Sequence, residues 1–264
     1  MDKKIKKVAR EAVRQAGEMA AREFARFDRA SITLKSHHEI LTKVDLASEK
    51  IIIAAIKKNF PEHQILSEES GRNQKVSDYF WIIDPIDGTT NFSMHNPLWS
   101  ISVAVAFKGR IVFGLIYAPI LDEFYEAEKG KGAYLFVDQK KKRLHVSRIK
   151  EGKVLNTFCH GRQTKHVRRA IKYYAYQKLH ALDCRQLGSA ALELAFVAGG
   201  RIESIMIPGA NAWDVAAGVL LVREAGGRVT DFLGRPWSLS SVDMLASNGR
   251  VHANILKVIK TQKI

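Results

Sequence analysis

The sequence predicts a mixed α/β (α+β) fold. Helical and strand patterns alternate along the whole chain. Apolar runs are short and bounded by turn residues. No repeat, low-complexity tract or long linker interrupts them. From about Ile5 to Phe27, apolar residues recur at helical spacing: Val8, Ala12, Ala16, Met19, Ala20, Phe24. A second helix is expected from about Asp45 to Asn59, stopping before Pro61. Gln64 to Leu66 and Phe80 to Ile83 read as short buried strands, with Pro85 expected to end the second. Ile101 to Phe107 and Ile111 to Tyr117 read as a hairpin around Lys108-Gly109, and Glu123 to Ala127 as a further strand.

Gln139 to Lys153 is basic and polar and marks the expected boundary between an N-terminal subdomain, 1–145, and a C-terminal one, 146–264. Beyond it a strand is expected from Val154-Leu155, helices at about Thr164 to Lys178 and Ser189 to Ala198, and a strand at Arg201 to Ile207. A helix from Trp213 to Ala225, a strand at Arg228 to Thr230 and a helix from Val251 to Lys260 complete the pattern.

Composition narrows the class. Of 264 residues, 46% are hydrophobic and 26% charged, as in ordinary globular chains. No apolar run approaches the roughly 18 residues of a membrane-spanning helix. The basic N-terminus lacks the apolar stretch of a signal peptide, and only two cysteines are present, so reduced thiols in a cytoplasmic protein are expected. The formal net charge of +15 attracts anions, phosphate esters and nucleic acid alike. The basic residues are scattered, with Lys140 to Arg143 and Arg168-Arg169 the densest runs, and solvated faces account for them.

The chemistry concentrates in acids. In Trp81-Ile82-Ile83-Asp84-Pro85-Ile86-Asp87-Gly88-Thr89-Thr90-Asn91, an apolar strand delivers Asp84 and a turn follows at Asp87-Gly88. Thr89, Thr90 and Asn91 favour a helix start. Carboxylates there want cations, and free backbone N–H groups want an anion. Taken alone, the segment also reads, with less weight, as a surface turn. Glu68-Glu69 follow another short strand, and Asp214 and Asp45 begin helices. Singly, these are loop acids and N-terminal helix stabilisers worth about 1 kcal/mol each. His37-His38 reads as a solvated loop, since adjacent histidines diverge and a hard cation prefers oxygen. Cys159 and Cys184 read as structural thiols, and Trp213 as a packing anchor that aims Asp214.

Asp84-Pro85-Ile86-Asp87-Gly88-Thr89 together with Trp213-Asp214-Val215-Ala216-Ala217-Gly218 resembles the paired signature of the inositol monophosphatase family. Glu68-Glu69 and Gly188-Ser189-Ala190-Ala191 are similar to two further family segments, in the family's order. The resemblance implies a layered αβαβα sandwich of the inositol monophosphatase and fructose-1,6-bisphosphatase type. It implies two or three Mg2+ ions: one at Glu68, Asp84 and the Ile86 carbonyl, a second at Asp84, Asp87 and Asp214, and a weaker third near Glu68. Asp45, Thr89 and Glu68 would serve catalysis, with activated water near Thr89 and Asp45. Asp87, Gly88, Thr89, Gly188, Ser189, Ala190 and Asp214 would surround the phosphate.

The implied activity is hydrolysis of a small phosphorylated polyol or sugar, inositol 1-phosphate first, with fructose 1,6-bisphosphate, histidinol phosphate or nucleotide phosphates as alternatives. A homodimer and lithium sensitivity are implied too. One position departs from the pattern. Where inositol-preferring relatives place a hydroxyl-contacting Glu, six residues before Trp213, this chain has Ile207. Cys159 to Arg162 and Arg185 are candidates to reach the substrate, or else a surface loop and a strand-end arginine. A reading of another class is a regulator that binds RNA or a transcription partner through its basic surface. Nucleic acid is the less favoured partner, because every metal-ligand position of the signature is present.

Overall fold

The computed structural model describes residues 1–36, 39–138, 140–150 and 152–264; the His37-His38 pair lies outside them. The chain begins with α1 (Lys3–Phe24), which Asp2 caps through its carboxylate to the Lys4 N–H. A small hairpin of β1 (Thr33–Ser36) and β2 (Glu39–Leu41) leads into α2 (Lys43–Asn59). Strands β3 (Gln64–Ser67), β4 (Gly71–Arg72) and β5 (Tyr79–Asp87) follow, then the short α3 (Thr89–Ser93). β6 (Ser100–Phe107) and β7 (Arg110–Ala118) form the expected hairpin, with φ of 48° at Lys108 and 72° at Gly109 in its turn. β8 (Glu123–Glu128), β9 (Gly132–Val137) and β10 (Lys140–Arg143) complete a sheet in the order β10-β9-β8-β7-β6-β5-β3-β4.

The second part is built from β11 (Leu155–Phe158), α4 (Thr164–His180), β12 (Asp183–Arg185), α5 (Ala190–Ala198), β13 (Ser204–Ile207), α6 (Ala212–Glu224), β14 (Arg228–Thr230), β15 (Met244–Ser247) and α7 (His252–Thr261). Its five strands run β12-β11-β13-β15-β14.

Five layers result. α1 and α2 cover one face of the large sheet, and α5 and α6 fill the space between the two sheets. α4 and α7 cover the far face of the small sheet. Strand alternation sets this up. On β5, Trp81 and Ile83 point into the core under α1 and α2, while Ile82 points to the core around α6. α5 is buried at every position, as a helix between two sheets must be. Among the described residues no helix is long and apolar enough to cross a membrane.

Several expectations need correction, among them the strand expected from Arg201, which begins at Ser204. The first helix ends at Phe24 rather than Phe27. β5 does not stop at Asp84 but runs on to Asp87, because the ladder takes an extra residue: Asp84 pairs with Ser102 and Asp87 with Ser100. The bulge removes Pro85 and Ile86 from the regular register, so the missing Pro N–H costs nothing. The Lys-rich run at 140–143 is the large sheet's outer strand, and its charges discourage edge-to-edge pairing.

Candidate active site

The bulge on β5 aims the two aspartates of one strand at different neighbours. Asp84 is 2% exposed, and its Oδ1 accepts the Ile86 N–H at 3.1 Å. Its carboxyl is held well above the usual carboxylate range, first by burial and then by the negative charges of Glu68, Asp87 and Asp214. Glu68, from the end of β3, lies within hydrogen-bonding reach of it. Four acids from three separate stretches of chain therefore face one another.

Asp87 is answered by donors from the other half of the molecule. Ser189 Oγ donates to Asp87 Oδ2, the Ala190 N–H donates to Oδ1 at 3.1 Å and the Ala191 N–H to Oδ2 at 2.9 Å. Burial raises this carboxyl to about 7 and Asp214 pushes the same way, while Ser189, Ala191 and Ala190 pull it down. Ser189 also caps α5 through the Leu192 N–H. Ser189 and Ala190 are thus engaged with Asp87 here.

Asp214 sits in the first turn of α6, where its Oδ2 accepts the Asn211 N–H at 3.0 Å and the Asn211 side-chain amide at 3.1 Å. Asp45 does the same for α2, its Oδ2 accepting the Thr42 N–H at 2.9 Å. Both helix-cap readings hold, yet each acid also turns toward the site. Asp45 Oδ1 accepts the Thr89 hydroxyl at 2.9 Å, and the same hydroxyl lies 3.0 Å from the Ile86 carbonyl oxygen. Thr89 is therefore clamped between a fully buried carboxylate and the β5 backbone. Gly88 enters α3 with φ of 94°, and a β-carbon there would lie 3.1 Å from the Gly188 carbonyl. Only glycine suits both the dihedral and the contact with the 188–189 turn.

Several supporting residues carried no motif. Ser48 donates to the Pro85 carbonyl at 2.8 Å. Glu49 accepts the Glu69 and Ser70 N–H groups at 3.2 and 3.0 Å, holding the turn after Glu68. The available signal was spacing: Asp45, Ser48 and Glu49 share one helix face. Glu193 is fully buried in α5. It accepts the Leu187 and Gly188 N–H groups at 3.2 and 3.0 Å and the Cys159 thiol at 3.2 Å. Burial lifts Glu193 to about 7.

The remaining candidates separate. Arg162 Nη2 donates to Glu68 Oε1 at 2.6 Å and so belongs to the site. Arg185 donates instead to Asp183 at 2.6 Å, and its side chain is 68% exposed. Ile207 is in the apolar core. Burial pushes the Cys159 thiol well above its ordinary range and that of Cys184 to about 12, which disfavours the thiolate in both.

The donor set suits a hard divalent cation: carboxylate oxygens and the Ile86 carbonyl, with buried like charges that a cation would neutralise. Among the described residues, no three His, Cys, Asp or Glu side chains already stand as a ligand group around one point. The acids meet as mutually repelling neighbours, and one of them is occupied by Arg162.

Comparison with known proteins gives matches along nearly the whole chain. The model of the inositol monophosphatase family matches residues 1–263. The Nus factor SuhB of Pasteurella multocida is 41% identical over 257 residues, covering 96% of this chain and 94% of that protein. The Nus factor SuhB of Escherichia coli K12 is 37% identical over 245 residues, covering 92% and 91%. A Thermotoga maritima IMPase superimposes with a TM-score of 0.88 at 32% identity, covering 99% of this chain and 98% of that one. The extragenic suppressor protein suhB of Bartonella henselae gives 0.89 at 31%, covering 97% and 98%. By these matches and by its fold, this chain belongs to the inositol monophosphatase family.

Proposed function

We propose that this chain hydrolyses a small phosphate monoester, with two or three magnesium ions held by Glu68, Asp84, the Ile86 carbonyl, Asp87 and Asp214. The observation that carries the reading is Asp84, buried and facing three further carboxylates. Such a cluster repels a phosphate dianion and has little use without a cation. Bound divalent ions supply Lewis-acid polarisation of the phosphoryl group and of water.

The chain's own groups do the rest. Thr89 Oγ1 is fixed by Asp45 and the Ile86 carbonyl, so it can accept a hydrogen from an incoming water while passing its own to Asp45. The Gly88 and Thr89 N–H groups bind the phosphate oxygens. Ser189, Ala190 and Ala191 hold Asp87 in one orientation, as supporting residues of a ligand do. The direct test is a panel of inositol 1-phosphate, fructose 1,6-bisphosphate and histidinol phosphate assayed for phosphate release. Release that requires magnesium and stops with EDTA is expected; no release from any ester refutes the phosphatase reading.

A second reading has its own observation. Several relatives at 36–41% identity are named Nus factor, and this chain carries a net charge of +15. We propose that it also engages a transcription partner or RNA through that surface. Binding that weakens steeply between about 50 and 200 mM salt supports RNA contact through phosphates, and salt-independent or absent binding opposes it.

A further inference from the structure

Arg162 brings a positive charge to the acid cluster from the opposite half of the chain, 94 residues from Glu68 in sequence. Its side chain is 41% exposed and that of Glu68 13%, so the pair sits at the mouth of the site rather than in its floor. The backbone that carries it is well anchored. The Cys159 N–H donates to the Met206 carbonyl at 3.1 Å and the Gly161 N–H to the Pro208 carbonyl at 2.8 Å. A β-carbon at position 161 would lie 2.2 Å from the Gly209 carbonyl oxygen, so the two segments touch through backbone alone. Residues 159–162 therefore run beside 206–209, the stretch that leads to Asp214.

That neighbouring stretch contains Ile207, 2% exposed and part of the apolar core. Ile207 offers no side-chain acceptor for hydroxyls, and a guanidinium stands on the adjoining loop. Hydroxyl recognition needs the first, and anion recognition needs the second. The guanidinium fork matches a phosphate or carboxylate through two parallel hydrogen bonds, as an ammonium does not.

We propose that Arg162 determines specificity, selecting phosphate monoesters that carry a second anionic group. The guanidinium leaves Glu68 for that group as the substrate enters. This deepens the phosphatase reading above and rests on it. Exchange is cheap because one partly solvated anion replaces another. Glu68 would also hold a divalent ion and would then no longer hold the arginine, so loading the site and presenting the selector would be linked.

The test compares wild type, Arg162→Gln and Arg162→Lys in magnesium, reading kcat/KM for fructose 1,6-bisphosphate and for inositol 1-phosphate. The bisphosphate-to-monophosphate ratio is expected to fall about ten-fold or more in Arg162→Gln, the equivalent of losing one charge-assisted contact. Arg162→Lys keeps the charge without the fork and is expected to fall between. Calorimetry supplies a readout apart from turnover: fructose 6-phosphate, the product that retains the second phosphate, binds wild type and binds Arg162→Gln more weakly. Equal losses on both esters, or hydrolysis of inositol 1-phosphate with none of the bisphosphate, overturn the proposal while leaving the phosphatase reading intact. If wild type releases phosphate from no ester, both fall together.

Discussion

From the eight-stranded sheet and its helices come Asp45, Glu68, Asp84, Asp87 and Thr89. From the part built on the five-stranded sheet come one acid, Asp214, and the groups that answer charge: Ser189, Ala190, Ala191 and Arg162. The contrast is visible within β5. Asp84 is surrounded by acids and is held well above its ordinary range. Asp87, three residues on, receives three donors from across the interface that pull its carboxyl down against burial. One side of the molecule concentrates negative charge, and the other side meets it with donors and a cation. A site divided in this way works only while the halves stay in register, which the buried α5 and α6 between the sheets enforce.

The largest effect should come from deleting one charge on either side. Asp87→Asn and Asp214→Asn each remove the charge of a proposed metal ligand while preserving shape. Turnover should drop at least about a hundred-fold, beyond the usual loss for a supporting residue. Near-normal rates in either variant refute its assignment as a ligand.

A smaller effect should follow from removing a donor. Ser189→Ala leaves Asp87 its two backbone N–H partners and the Ser100 hydroxyl at 3.4 Å. The magnesium concentration for half-maximal activity should rise about ten-fold. An unchanged magnesium dependence would mean the hydroxyl caps α5 and does little else.

The smallest effect concerns Glu193. Its folded-state value of about 7 lies above its ordinary 4.5. The folded chain therefore holds a proton that the unfolded chain releases. The stability from this group is complete below about 4.5 and is lost as pH rises through about 7. Urea unfolding of Glu193→Gln should lose part of that pH slope, on the order of 1–3 kcal/mol across the window. An identical slope in wild type and variant would contradict it.

Much of this was legible in the sequence because the signals were local. Helical periodicity marked α1, α2 and α4 to α7, and turn chemistry at Lys108-Gly109 marked the β6–β7 hairpin. The strands β1, β2, β4, β9, β10, β12 and β15 are not marked by the sequence. β12 has only three residues, and β15, Met244–Ser247, is buried at all four positions, so neither shows alternation. Pro85 misled because its effect depends on a bulge that only pairing with β6 reveals. The acids stood out because each follows an apolar strand or opens a helix. Ser48, Glu49 and Glu193 did not, since each looks like an ordinary helical residue until tertiary packing gives it a partner. The Arg162–Glu68 pair joins distant loops that no spacing rule connects.

The most direct measurement follows thermal unfolding of wild type and Asp84→Asn, with EDTA and then with rising magnesium. Asp84→Asn removes a buried carboxyl that three acids oppose, so with EDTA the variant should melt at or above the wild-type temperature. With magnesium, wild type should gain stability by mass action and the variant should gain much less, so the order reverses. Parallel curves, with the same magnesium response in both proteins, would contradict the claim that these converging carboxylates exist to hold divalent ions.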